Sequence, residues 1–283
     1  MSSVDQFTSV FNAASKTAFQ FSPPKFENIL IVTDLESDAA TQYTENAKTF
    51  FCKTTTSQWS TVNGEDFKTV KDLLELVESR KPDLIVTYRH LHSEAWRWPH
   101  SLGEHLDVLI QVTDTPVILT PHPDKEGIPE HTMKNTDSVM AINDHMAGED
   151  ALVNHATLLT MTGGTLHLTH IEDEAIFDRY MEIIGKIPEI DTETARETIL
   201  AQLLREPSDY IDSTKNVLSE KRDDLNIVKH ITKGNQLKEY RRTIEENKVD
   251  LVVLKAHDED QLAMSSTAYS LAVELRTTPL MIL

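Results

Sequence analysis

A chain that repeats its own strand pattern in the same order and at similar spacing has to fold as two like units. KPDLIVTYRH (81–90) recurs as KVDLVVLKAH (248–257), and TDTPVIL (113–119) recurs as RTTPLMI (276–282). Two further apolar runs close on an aspartate, NILIVTD at Asp34 and SVMAIND at Asp144, and each opens one unit. Between the runs lie longer stretches of helical periodicity, such as the stripe Leu152, His155, Ala156 and Leu159 and the stripe Leu237, Tyr240 and Ile244. Short β-branched and leucine-rich runs without alternation are what a parallel sheet covered on both faces requires. In the second unit the pattern predicts strands near 138–143, 164–171, 226–232, 250–255 and 279–283. Strand-helix-strand units of this kind close right-handed and place ligand sites at the carboxyl ends of the strands.

The units are unequal. Residues 26–124 form a compact first domain, with room for one substantial helix between KTFFCKTTT and PDLIV, whereas 135–283 form a larger second domain. An insertion at 172–222 of the second carries three helical pieces, 173–185, 191–205 and 208–221. The apolar positions Ile176, Tyr180, Ile183 and Ile184 make the first piece amphipathic, a face for the sheet or for a partner protein. Residues 1–25 read as an N-terminal arm ended by Pro23 and Pro24. Each unit finishes in a short apolar strand after a proline, PVILT at Pro116 and PLMIL at Pro279. An exposed apolar edge tends to be paired or covered, so the two last strands are expected to meet.

Charge and composition limit the function. A formal charge of −19 disfavours nucleic-acid partners and anionic membranes, since phosphates need clusters of Lys and Arg. One cysteine, Cys52, allows no disulfide within the chain and points to a reducing compartment. No basic-then-apolar leader and no apolar run near the ~20 residues of a membrane span is present, so the expectation is a cytoplasmic protein.

The run INDHMAGEDALVNHATLLTMTGGTLHLTHI (142–171) resembles the opening of the universal stress protein family, with a strand, an aspartate, an AL..A helix and a strand of the LHLxHV type. ITKGNQLKEYRRTIEENKVDLVVLKAH (231–257) is similar to that family's third strand, helix and fourth strand, and the first unit matches more loosely. The resemblance implies an α/β fold: two tandem open, mostly parallel five-stranded sheets of order 3-2-1-4-5, Rossmann-like and of the adenine nucleotide alpha hydrolase kind. It also implies a pseudo-two-fold pair within one chain, an internal pseudo-dimer with room for a further homodimer, and a role in survival under stress. In the nucleotide-binding branch, ATP is held by a loop that reads glycine, two residues, glycine, about nine residues, glycine and Ser or Thr. Glycines let backbone N–H groups approach phosphates, and a helix N-terminus completes the cradle.

Carried over position by position, the loop is degenerate. In the first unit the leading glycines fall on Tyr88 and Leu91, and the closing pair on Gly103 and Glu104. In the second they fall on Lys255 and Asp258, and on Ser266 and Thr267. Glu104 and the run HDED add carboxylates beside the cradles, enough to cancel the ~0.3–1 kcal/mol that an exposed helix N-terminus offers an anion. The ligand-binding candidates are Asp34, Asp144, His170, Lys255, His257, Ser266, Thr267 and Gly103. Either Asp34 or Asp144 can instead cap the structure that follows it. His90, His92, His100 and Glu104 are the candidates for a divalent metal, although His90 and His257 also match a histidine frequent in the family's loop. Trp96 and Trp98 are expected to seal the loop against the sheet. No nucleophile elbow, catalytic cysteine environment or P-loop is present, and Cys52 sits in a strand-like run. The reading is a non-enzymatic stress-type protein that binds proteins or a small ligand without a cofactor. An ATP-binding regulator using the second unit and a metal-dependent hydrolase are the alternatives.

Overall fold

The computed structural model describes residues 18–51, 57–98, 100–143, 146–256 and 264–283. Cys52 lies outside them, and so does part of the strand-like run that carries it. The first half carries β1 (Asn28–Val32), α1 (Ser37–Phe50), β2 (Gln58–Val62), α2 (Val70–Arg80), β3 (Leu84–Tyr88), α3 (Glu104–Val112) and β4 (Val117–Thr120). The second carries β5 (Ser138–Ile142), α4 (Asp150–Leu159), β6 (Thr165–Asp173), α5 (Glu174–Ile184), α6 (Thr192–Lys221), β7 (Asn226–Gly234), α7 (Gln236–Glu246), β8 (Leu251–Leu254), α8 (Ser266–Glu274) and β9 (Leu280–Ile282). No described helix is long and apolar enough to cross a membrane.

The strands form one nine-stranded sheet of order β2-β1-β3-β4-β9-β8-β5-β6-β7. Two separate five-stranded sheets were expected, and the difference has two causes. Between β2 and β3 the first half holds α2 alone, so the crossover that would carry a fifth strand outside β2 is missing. The second half keeps all five strands in the 3-2-1-4-5 order, read from β7 to β9. The halves then fuse because β4 and β9 pair antiparallel, Val117 opposite Ile282 and Leu119 opposite Leu280, while every other pair is parallel. The apolar edges therefore cover each other, as their sequence requires. The buried apolar side chains of both halves form one continuous cluster.

The repeated KxDL motif has a structural cause. Lys81 and Lys248 both take the left-handed conformation at φ +46°, turning the chain from a helix into β3 or β8. Two residues on, Asp83 accepts the N–H groups of Glu27 and Asn28, both at 2.8 Å, at the start of β1. Asp250 does the same for Ser138 at the start of β5, at 2.9 Å. One carboxylate thus anchors the first strand of each half to the helix-strand turn that leads into β3 or β8.

Ser138 links Asp250 to a half-buried histidine pair. His167 Nδ1 is 2.9 Å from His230 Nε2, and its Nε2 is 3.2 Å from the Ser138 hydroxyl. Burial pushes the Asp250 carboxyl up from 3.8 to about 6, and burial together with His230 pushes His167 down from 6.5 to about 4. Folded Asp250 holds a proton that the unfolded chain has lost, so its contribution falls as pH rises from about 4 to 6. Folded His167 binds fewer protons than the unfolded chain, so its contribution rises with pH between about 4 and 6.5. The slopes oppose each other. Asp250→Asn removes one of them, and denaturant unfolding across this range is expected to show stability rising with pH more steeply than in the parent chain. Equal slopes would contradict the assignment.

The insertion differs from its sequence pattern. The second and third expected pieces are one 30-residue helix, α6, that runs through Pro207. Proline removes one backbone hydrogen bond and crowds the preceding turn, which is why the pattern breaks there. The helix continues because Pro207, Tyr210, Ile211, Thr214 and Leu218 are buried. In α5 the buried residues are Phe177 and Met181, whereas Ile176, Tyr180 and Ile183 are 53%, 60% and 51% exposed. The end of the N-terminal segment crosses the second half, with Phe19 edge-on to Tyr210 at 6.3 Å and Ser22 N–H donating to Asn154 at 2.9 Å.

Candidate functional site

The carboxyl ends of β1, β3 and β4 converge in the first half. β1 leads through Thr33 to Asp34, and β3 ends on Tyr88, whose ring is fully buried between them. The Tyr88 hydroxyl donates to Asp34 Oδ1, and it accepts the Asp34 N–H at 3.2 Å. It also shares a 2.7 Å hydrogen bond with the Thr33 hydroxyl. Asp34 Oδ2 accepts the His92 N–H at 2.7 Å. Each carboxylate oxygen therefore already accepts a hydrogen bond from the chain itself. Burial first, then the bond to Asp34, raises the Tyr88 hydroxyl well above the usual tyrosine range, so it stays a donor.

Aromatic rings close the space around this centre. Tyr43 from α1 meets Tyr88 edge-on at 5.2 Å and bonds the Thr120 hydroxyl at 2.9 Å. His122, just past β4, lies edge-on to Tyr88 at 4.9 Å and stacks on Trp96 at 4.4 Å and 12°. Trp96 thus seals the loop as expected, but Trp98 is 56% exposed and seals nothing. The His92 ring packs on Phe67 at 4.8 Å and lies 5.6 Å from His105. Burial pushes the imidazoles of His90, His92 and His122 below their ordinary value, which favours the neutral form.

The loop reaches this shape through unusual backbone. His90 and His92 take φ +60° and +57°, and Gly103 takes φ +96° where it caps α3. A Cβ on Gly103 would stand 2.8 Å from His90 Cα, so only glycine fits there. Gly103→Ala is expected to lower stability by about 2 kcal/mol from positive-φ strain and crowding. A thermal melt within error of the parent would contradict this. His100 is exposed and Glu104 opens α3. Among the described residues, no group of three or more His, Cys, Asp or Glu side chains is placed to hold a metal ion.

The second half is built differently. Asp144 and His257 lie outside the described residues. Lys255 Nζ is 3.1 Å from Glu149 Oε1, and the Thr267 hydroxyl donates to Gln236 Oε1 at 3.1 Å. Ser265 caps α8, its hydroxyl accepting the Ala268 N–H at 3.2 Å, and Ser266 is the first helical residue. Matched by helix caps, Gly103 and Glu104 correspond to Ser265 and Ser266, one position earlier than the sequence alignment placed the closing pair. His170 is 4% exposed near the end of β6, and neither ring nitrogen has a hydrogen-bond partner, although Nε2 lies 3.6 Å from Glu172 Oε2. The neighbouring Thr169 hydroxyl is unpartnered as well.

Sequence reading singled out Asp34 and Gly103 but missed Tyr88, the residue that holds Asp34. Tyr88 was a missing glycine in the pattern; its signal was a large ring and hydroxyl at the end of a strand adjacent to the one that ends on Asp34. Arg89 and Arg276, discussed below, carried no sequence signal beyond their places in the repeats.

No family model matches the chain, and no curated protein matches it. Solved structures do match. A universal stress protein from Archaeoglobus fulgidus aligns with a TM-score of 0.53 at 12% identity, over 90% of this chain and 95% of its own. The fold is that of the universal stress proteins. Two Pseudomonas aeruginosa proteins share it at 13% identity, over 100% of this chain and 88% of theirs. One is described as functionally unknown, with a TM-score of 0.51, and the other is named for the universal stress proteins, with a TM-score of 0.50. Their coverage extends the universal stress fold across both halves.

Proposed function

We propose that the chain is a stress-type binding protein that uses the universal stress fold without turning over ATP, its first half closed and its second half available to a small ligand. The observation that carries this reading is Asp34: Tyr88 and the His92 N–H engage both carboxylate oxygens, where a nucleotide-binding relative would present them to ligand. In the second half His170 Nδ1, buried and without a hydrogen bond, supports a polar ligand, because a buried polar group left without a hydrogen bond costs roughly 1–3 kcal/mol that a ligand can recover. The exposed stripe of Ile176, Tyr180 and Ile183 supports a protein partner. A single cysteine fits a reducing compartment such as the cytoplasm.

Calorimetric titration of the full chain with ATP and Mg²⁺ tests the reading. No saturable heat and no phosphate release are expected. Micromolar, Mg-dependent affinity that disappears in Asp144→Ala would overturn it in favour of an ATP-binding regulator working through the second half.

A further inference from the structure

Above the seam, side chains from both halves line a cleft: Arg89, Trp96, His122, Lys125 and Arg276. The two arginines cross it in opposite directions. Arg89, which follows β3, donates Nε and Nη2 to the carbonyls of Ala272 and Leu275 at the C-terminal end of α8, at 2.8 and 2.9 Å. Arg276, between α8 and β9, donates to the carbonyls of Arg97 and Trp96. Arg89 is only 5% exposed, and its Nη1 makes no hydrogen bond among the described residues.

The chain has 46 acidic residues against 27 basic ones, yet among the described residues no carboxylate lies in ion-pair range of Arg89, Arg276 or Lys125. Three carboxylates, Asp124, Asp34 and Glu94, act on His122 of the same wall. Glu94 pairs with Arg97 at 2.7 Å, Asp124 lies 3.9 Å from His122, and Asp34 is held by Tyr88 and His92. Burial, and then the charge of Arg276, push the Arg89 guanidinium down to about 9, which leaves it cationic at neutral pH. A buried guanidinium beside a second one, with only carbonyl partners, is an arrangement that an anion stabilises.

We propose that this cleft binds an oxyanion, a phosphate group either free or carried as a monoester, held between the halves by Arg89 Nη1, Arg276 and Lys125. Guanidinium forks match the paired oxygens of a phosphate, and a lysine adds a point charge. The cleft is small and part of it is open to solvent, so it does not enclose a larger ligand. The cleft therefore suits a single charged group against the flat wall of Trp96 and His122. It borders the strand-end cradle of the first half, sharing the wall of Trp96 and His122 with it, but its cations come from Arg89, Lys125 and, across the seam, Arg276. Because each half supplies an arginine, bound anion would also hold the seam closed.

The test titrates sodium phosphate, glycerol phosphate and sodium chloride into the full chain at constant ionic strength, following the melting temperature and the heat of binding. A saturable rise with phosphate or glycerol phosphate, absent with chloride, is expected, and the tighter of the two identifies the source of the group. Lys125→Gln, at a residue with no side-chain partner among the described residues, and Arg276→Gln should each weaken binding tenfold or more with an unchanged circular dichroism spectrum. Absence of saturation, or affinity that survives in Lys125→Gln, would overturn the proposal.

Discussion

Removing residues 279–283 is expected to abolish cooperative folding of both halves, not only of the second. β9 stands between β4 and β8, and Leu280, Met281 and Ile282 are all but fully buried. Truncating one such side chain to alanine costs roughly 2–5 kcal/mol. Losing three of them, with the ladder bonds on both sides, approaches the whole stability of a typical domain, roughly 5–15 kcal/mol. It also uncovers the apolar edge of β4 in the first half. The truncated chain should lose its sharp thermal transition and scatter light, and the single variant Met281→Asp should do so in milder form. A truncated chain that melted as sharply as the parent would refute the edge-to-edge arrangement.

The second large effect is expected at Tyr88. Tyr88→Ala removes a fully buried ring and should cost about 3–5 kcal/mol, the range seen when large aromatic side chains are cut back to alanine. Tyr88→Phe keeps the ring and removes only the hydroxyl that serves Thr33 and Asp34, so about 1–3 kcal/mol is expected. Denaturant unfolding of the two variants separates packing from hydrogen bonding. If Tyr88→Phe matched the parent, the hydroxyl would not be engaged with Asp34 and the first half would not be closed by its own side chain.

Much of the fold was legible because parallel strands buried on both faces write themselves as unbroken apolar runs. The expected strands of the second half coincide with β5 to β9 to within a few residues. The meeting of the two last strands followed from their apolar edges, and the pairing of Val117 with Ile282 realises it. What escaped depended on contacts across long sequence distance. The fusion into one sheet is invisible in either repeat alone, and the continuity of α6 through Pro207 rests on burial against the sheet, which local propensity does not encode. Ile176, Tyr180 and Ile183 made a helical stripe, but periodicity does not say which way a stripe faces, and Phe177 and Met181 took the inside. In the site, Asp34 and Gly103 were readable from pattern. Tyr88 was readable only as an absence, because the bond from its hydroxyl to Asp34 spans 54 positions.

The pairing of the halves within one chain underlies both the fold and the seam cleft, and hydrogen exchange on the intact protein tests it most directly. Pro116 O accepts the Ile85 N–H, and Leu283 N–H donates to Leu254 O. Strand alternation then points the amides of Val117 and Leu119 at β9 and that of Ile118 at β3. All three amides should exchange as slowly as those at the centre of β3. If Val117 and Leu119 exchange rapidly while Ile118 remains protected, β4 is a free edge and the halves do not meet.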